Sequence, residues 1–525
     1  MNEGLNVFIR LTLPQREARL QRCGLKAAMT PSGRAELEQR GGTAAEVNAI
    51  HMYHSKALSR IHRQQYIVNV FNLQVVDILA LGTGQAMRQK ANAHSPGAPG
   101  SVAESSGNQG MRSVRLNGHY AGGTTEGGPS SPLNRRERTA YTAVDEGWPG
   151  GRAVIAGPVA EREERLTADG SAEMQATVPG PYSHGQHSRR SSAGQLCETA
   201  VRALYCLGLD SGEVRLTALG GKQFAVVDVI PLSAADSGVY QAVSQALDAA
   251  LALEQPGRPG LLMGMDPEFL LLRESTGRVV PASRYLPLDG VAGCDAGPPG
   301  TQGTFPVAEL RPQPRGEPRA LLAQLMSAVR AADRLITDRS LSLRAGGMPL
   351  PGWALGGHLH FSGVTLTAPL LRALDNYLAL PLMLLEDARA AARRPRYGVL
   401  GDFRIQPHGG FEYRTLPSFL VSPVIAKGAV FLAHLIVSRY EDLTLRPLDR
   451  EDLHAAYYSG HKPPLRAAFI PLQAQLRVLP GYAQAAPYIE PLLGYIARER
   501  AWDESRDIRG LWLSKEEGRI KSGST

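Results

Sequence analysis

Four short runs of the chain alternate charged or imidazole side chains with apolar ones. A period of two dictates strands with one polar and one apolar face. MDPEF (Met265 to Phe269) sets Asp266 and Glu268 on one side and Met265 and Phe269 on the other. AELRP (Ala308 to Pro312) does the same with Glu309 and Arg311, GGHLHF (Gly356 to Phe361) with His358 and His360, and FEYR (Phe411 to Arg414) with Glu412 and Arg414. Acids on a buried strand face are costly unless a cation or hydrogen-bond donors neutralise them. Three glutamates and a histidine suit a hard divalent cation, and several arginines suit a polyanion. The set points to a site where Mg²⁺ and a nucleotide triphosphate meet a carboxylate substrate.

Each motif also has a plainer reading. Asp266 fits a strand face or a cap on a turn before Pro267. Glu309 and Arg311 fit a structural salt bridge as well as a site. A single strand histidine is usually structural, but two on one face beside acids fit ligation as well as a structural role, and the glycines before them permit close backbone approach to a ligand. Arg404 precedes Glu412 and Arg414 across a Gly409-Gly410 turn. Glu-x-Arg offers a metal ligand and an anion clamp from one strand, because the arginine fork meets carboxylate or phosphate bidentately. His408, in the turn, reads as conformational. Arg393, Arg394 and Arg396 fit either a solvated helix end or a mobile phosphate-contacting loop.

The chain has 525 residues, too many for one simple core. Residues 1–92 read as a helical N-terminal region, because Ala44 to Leu81 has no proline and its apolar positions recur every three to four residues. His51, His54 and His62 lie there and read as an exposed polar face, with no carboxylate or cysteine nearby to complete a metal site. Residues 93–194 lose that periodicity to Gly, Ser, Pro and Arg and read as a disordered linker. Residues 195–256 read as a small α/β subdomain with strands Glu213 to Leu219 and Gln223 to Leu232. Residues 257–445 carry the motifs, with a helix over Glu317 to Ile336, one over Leu370 to Ala391 kinked at Pro381, and one over Pro423 to Tyr440. Residues 446–525 read as a helical extension with a polar tail. Glycine-rich turns and polar strand faces favour an α+β fold built on an antiparallel sheet over a doubly wound parallel one.

Composition narrows the partners. The net charge of +8 is mild for this length, and no basic run with interleaved aromatics marks a nucleic-acid binder. The four cysteines, Cys23, Cys197, Cys206 and Cys294, form no C-x-x-C pair, which suggests a reducing compartment. The N-terminus lacks a signal-peptide pattern, and the longest apolar run, Ala429 to Val437, is too short to span a bilayer. A cytoplasmic chain that needs no membrane is expected. Nothing in the sequence sets an oligomeric state.

GMDPEF, AELRP, GGHLHF, YGVLGDFR and HGGFEYRTLPSF, in that order, resemble the phage-type carboxylate-amine (COOH-NH2) ligase type 2 family. That family is similar in fold to glutamate-cysteine ligase and glutamine synthetase. The resemblance runs from about Leu261 to Tyr440. It implies a curved antiparallel sheet with helices on its convex side and a concave face that binds ATP with Mg²⁺ or Mn²⁺. It implies Glu268, Glu309, His358 and Glu412 as metal ligands, and His360, Arg311, Arg396 and Arg404 beside the nucleotide. Arg404, Arg414 and Glu268 would form the catalytic set, the arginines holding the γ-phosphate and the substrate carboxylate. Many relatives have Asp-Gly where this chain has CDAG (Cys294 to Gly297), which leaves Asp295 without a clear role. The implied reaction joins a small-molecule or peptide carboxylate to an amine through an acyl phosphate. Two rivals are a metal-dependent hydrolase using the His/Glu cluster and a degenerate ligase-like scaffold.

Overall fold

Polar strand faces need a partner sheet or helices on their apolar side, and the chain supplies both. The computed structural model describes residues 5–39, 64–81, 112–115, 191–232 and 237–513. All of these belong to one unit of the chain. It is a mixed α+β structure with two mainly antiparallel sheets and helices.

The first sheet corrects the helical reading of the N-terminal region. After helices Leu5–Arg10 and Leu13–Arg22 comes the two-residue strand β1 (Lys26–Ala27). The stretch expected to continue as helix instead forms β2 (Gln65–Phe71) and β3 (Gln74–Leu81). Its β-branched and aromatic residues suit a pleated surface, and the turn between the strands holds Asn72 and Leu73 at φ of 42° and 67°. β4 (Arg112–Arg115) pairs with β3 inside the stretch read as a linker. β5 (Ser211–Gly220) and β6 (Gln223–Pro231) complete the order β1-β6-β5-β2-β3-β4. β2 pairs with β5, so the N-terminal region and residues 195–256 share one sheet. The histidines His51, His54 and His62 and most of the linker lie outside the described residues.

The second sheet is organised on one long strand. β7 (Leu262–Arg273) pairs along Leu262–Pro267 with a later strand, then along Glu268–Leu270 with another on its opposite edge. Pro267, which has no N–H to donate, sits where the first pairing ends. The remaining strands are β8 (Arg278–Val280), β9 (Ala292–Asp295), β10 (Val307–Leu310), β11 (Leu341–Arg344), β12 (Gly357–Ser362), β13 (Phe403–Ile405) and β14 (Phe411–Tyr413). The order is β13-β14-β12-β7-β10-β9, with β8 and β11 on the far half of β7. On the apolar face Met263, Met265, Phe269, Leu359, Phe361, Phe411 and Tyr413 are all 3% exposed or less. Helix Pro318–Leu335 covers part of that face, with Val329 and Ala332 beside Phe269, Leu310 and Leu343.

The expected kink near Pro381 takes the form of a π turn. Helix Ala368–Leu374 continues through Asp375–Ala379, where the repeat widens, into Leu380–Leu385. By length and composition Ala368–Leu385 and Pro423–Asp442 are apolar enough to cross a membrane, but 94% and 78% of them is buried inside the fold. Both read as core helices, which corrects the view that no apolar stretch was long enough. Helix Pro423–Arg439 packs on Tyr482–Ala497, where the Phe431 and Tyr488 rings stack at 3.9 Å.

Candidate active site

The strand registers bring the alternating motifs into ranks across one sheet face. His360 stands opposite Glu412 on one side and Gly264 on the other, and Arg404 stands opposite Glu412. One rank on, His358 is opposite Asp266. On the next, Glu309 is opposite Glu268. Carried one residue past the paired segment, the first of these registers puts Arg414 beside His358, and carried two residues past, the last puts Arg311 beside Asp266. Five strands therefore offer acids, imidazoles and guanidiniums to one surface, as their period of two requires.

Asp266, His358 and Glu412 form its tightest group, with one donor atom from each lying within 4.8 Å of the others. His358 Nδ1 lies 3.2 Å from Asp266 Oδ1 and 3.3 Å from Glu412 Oε1, and His360 Nε2 lies 3.0 Å from Asp266 Oδ2. Asp266 Oδ1 is buried and has no aligned hydrogen-bond donor. Burial alone would raise the Asp266 carboxyl, but His358 and His360 outweigh it and hold the group far below the ordinary carboxylate range. For His358, burial works downward, and the charge of the adjacent Asp266 carboxylate wins and raises it.

Glu412 is almost fully buried and gathers donors on both oxygens. Arg414 Nη1 donates to Oε1 at 2.6 Å, while Arg404 Nη1 and Gln406 Nε2 donate to Oε2 at 3.2 and 3.0 Å. Arg404 is half exposed at 51% and Arg414 less so at 24%.

Glu268 and Glu309 fall outside the tight group. Glu268 accepts the Gly356 N–H at 2.7 Å, and burial raises its carboxyl, aided by Asp266 and Asp295 and opposed by His358 and Gly356. Glu309 pairs with Arg311, yet it is pushed up to about 9, first by burial and then by Asp266. Arg311 opposes this, while Glu268 and Asp295 add to it. One guanidinium at the rim does not offset burial among three other carboxylates, so the pair is a hydrogen-bonded contact rather than a full ion pair.

The remaining sequence candidates fall in several places. Arg311 also donates to the Leu288 carbonyl at 3.0 Å, so its fork is largely anchored. Arg396 is exposed, its guanidinium over the Tyr397 ring at 5.6 Å. Arg393 and Arg394 form neither a solvated end nor a mobile loop; both are buried against Glu386. His408 accepts the Gly410 N–H, as a turn residue would. Asp295 accepts the following Ala296 N–H at 2.7 Å. The GGHLHF glycines serve the protein itself: a Cβ on Gly356 would strike the His358 ring, and one on Gly357 would strike the Pro417 carbonyl. The sequence left Asp266 between two readings; the structure places it at the centre of the face. Gln406 escaped notice altogether, although its place two residues after Arg404 puts it on the same strand face.

Residues 263–513 match the model of a family of carboxylate-amine ligases. The family whose model matches them is described as phage phiEco32-like COOH.NH2 ligase-type 2, the family that the ordered motifs resemble. No curated protein matches the chain. Solved structures that match include a bifunctional glutathione synthetase from Pasteurella multocida, at 12% identity with a TM-score of 0.32, over 53% of this chain and 52% of that one. The chain spans about half the length of that protein, and a likeness this low carries no argument.

Proposed function

We propose that the polar face is the active site of an ATP- and Mg²⁺- or Mn²⁺-dependent ligase that forms an amide through an acyl phosphate. The observation that carries the reading is the convergence of Asp266, His358 and Glu412 within 4.8 Å, beside Arg404 and Arg414. The fold expected with it is a curved, glutamine synthetase-like sheet whose helices lie on the convex side.

The donors fit a divalent cation. Asp266 Oδ1 is a buried carboxylate oxygen that faces the His358 imidazole without an aligned donor, and burial first, then like charge, keeps Glu309 from ionising readily. Asp266, His358 and Glu412 would hold one ion, with Glu268 and Glu309 flanking it. When bound, a hard cation neutralises the phosphate oxygens of the nucleotide.

The chain's own groups account for the rest of the chemistry. A substrate carboxylate oxygen attacks the γ-phosphorus of ATP, ADP leaves, and the carbonyl becomes reactive. An amine then attacks that carbon, phosphate leaves, and the amine proton passes to base or solvent. Arg404, half exposed and turned toward solvent, can swing from Glu412 to an incoming phosphate. Arg414, more enclosed, suits the substrate carboxylate. Near the nucleotide, His360 orients Asp266, while Arg311 and Arg396 contribute positive charge. Substrates are a small-molecule or peptide carboxylate and an amine, and the setting is cytoplasmic, with no need for nucleic acid or membrane.

The arginines at Glu412 weigh against a simple metal hydrolase, which needs few cations around its water. The reading is tested by ADP release over pooled acids and amines with Mg²⁺, using Glu268→Gln as the blank. ADP that appears only with both an acid and an amine supports it; ADP at the same rate from the blank, or none from any pair, overturns it.

A further inference from the structure

The β13–β14 hairpin carries Arg404, Gln406, Glu412 and Arg414, yet both of its strands are only three residues long. Two such strands do not hold a four-group constellation to within a fraction of an ångström by ladder bonds alone. Something beneath the sheet has to fix them, and the apolar face shows what does.

Asp375, 3% exposed, opens the π turn in the helix behind the sheet. Its Oδ1 accepts the Tyr413 hydroxyl at 2.7 Å and the Gly401 N–H at 3.0 Å. Its Oδ2 accepts the Tyr205 hydroxyl at 2.7 Å. Tyr413 lies between Glu412 and Arg414, so its side chain anchors the strand from below while its neighbours face the site. Gly401 stands at the entry to β13, three residues before Arg404. At φ +66° it is suited to glycine, and a Cβ there would run into the Tyr205 ring. Thr415 reinforces the junction, its hydroxyl donating to the Val399 carbonyl at 2.8 Å, and Arg414 N–H reaches the Asp402 carbonyl at 2.8 Å. A π turn widens the helix at one point, and such turns recur where a functional group must be re-aimed.

We infer that Asp375 is a positioning residue for the site. It fixes the entry to β13 and the centre of β14 through one carboxylate, and so sets Glu412, Arg414 and Arg404 against His358 and Asp266. Tyr205, from helix Ser192–Cys206 of the first sheet, holds the other oxygen and ties that sheet to the site. The role assigned to Asp375 rests on the proposed reading of Glu412 as a metal ligand; the clamp itself does not.

The test compares Tyr413→Phe and Asp375→Asn with Tyr240→Phe, which removes a hydroxyl on helix Ser237–Ala252 that donates to Asn69 of the first sheet at 3.2 Å. Two readouts are taken on the full chain: Mn²⁺ binding by electron paramagnetic resonance, and hydrogen exchange of peptides spanning 399–414. The expected result is a loss of ~10–100-fold in Mn²⁺ affinity with faster exchange in 399–414 for the two clamp variants. Asp375→Asn, which keeps one oxygen acceptor, should fall less than Asp375→Ala. Tyr240→Phe should leave both readouts at wild-type values. Unchanged exchange in 399–414, or equal effects from Tyr240→Phe, overturns the inference. Wild-type protein that binds no Mn²⁺ refutes the metal reading instead, and the exchange comparison still decides whether Asp375 holds the hairpin.

Discussion

Replacing Glu309 by glutamine should stabilise the metal-free protein at alkaline pH. Glu309 is 6% exposed, stands opposite Glu268, and is raised from 4.5 to about 9 by burial and then by Asp266. A carboxyl raised on folding costs nothing while both states stay protonated. The penalty begins as pH passes the ordinary value, grows with each step, and levels off once the folded carboxyl ionises near 9. At ~1.4 kcal/mol for each tenfold change in proton activity, the whole window is worth about 6 kcal/mol as an upper figure. His358 acts in the same direction: its folded value is raised, so its stabilisation is present below the unfolded value and lost as pH rises through the folded one. Asp266 is lowered, and its contribution is lost only in acid, outside this window. The metal-free wild type should therefore lose several kcal/mol between about pH 5 and about pH 9. Glu309→Gln fixes the neutral form and should remove most of that slope. Urea unfolding in a chelator, at pH steps across the window, measures it; added Mn²⁺ should flatten the wild-type curve by supplying the missing positive charge. Parallel pH slopes for wild type and Glu309→Gln would refute the argument that burial, and then its neighbours, hold this carboxyl neutral.

Glu412→Gln leaves Arg414, Arg404 and His358 without their shared carboxylate and should lower stability by roughly 3 kcal/mol, as loss of one partner in a buried ion pair does. Urea midpoints in a chelator read this without any metal contribution. Arg404→Ala should change stability by less than ~1 kcal/mol, since the side chain is half exposed. It should raise the KM for ATP by about tenfold or more if it meets phosphate, which steady-state kinetics over an ATP series would show.

The sequence made the second sheet readable because its polar face repeats at every second residue. MDPEF, AELRP, GGHLHF and FEYR each declare a strand and the face it turns outward, and the registers Asp266 to His358 and Glu268 to Glu309 align those faces. It made the first sheet hard to read for the opposite reason. In QYIVNVFNLQVVDILAL the polar residues Gln65, Asn69, Asn72, Gln74 and Asp77 fall two to four apart, a spacing that imitates a helix and hides the strand period of two. The available signal was the β-branched content on either side of Asn72-Leu73, whose positive φ values make the turn. Asp266 was obscured by Pro267, which suggested a turn; in the folded chain that proline lies where β7 leaves one neighbour for another. Arg393 and Arg394 looked available for phosphate because sequence does not show burial, and Glu386, seven and eight residues earlier, claims them. Asp375 was out of reach. Its partners Tyr205, Gly401 and Tyr413 are distant in sequence, and only the fold brings them to one carboxylate.

Calorimetric titration of ATP into the full chain, with Mg²⁺ and then with chelator, tests whether these strand groups cage a cation over which a triphosphate can react. Saturable binding that needs Mg²⁺ and disappears in Asp266→Asn is the predicted result. Binding of equal strength without metal, or no binding under either condition, contradicts it.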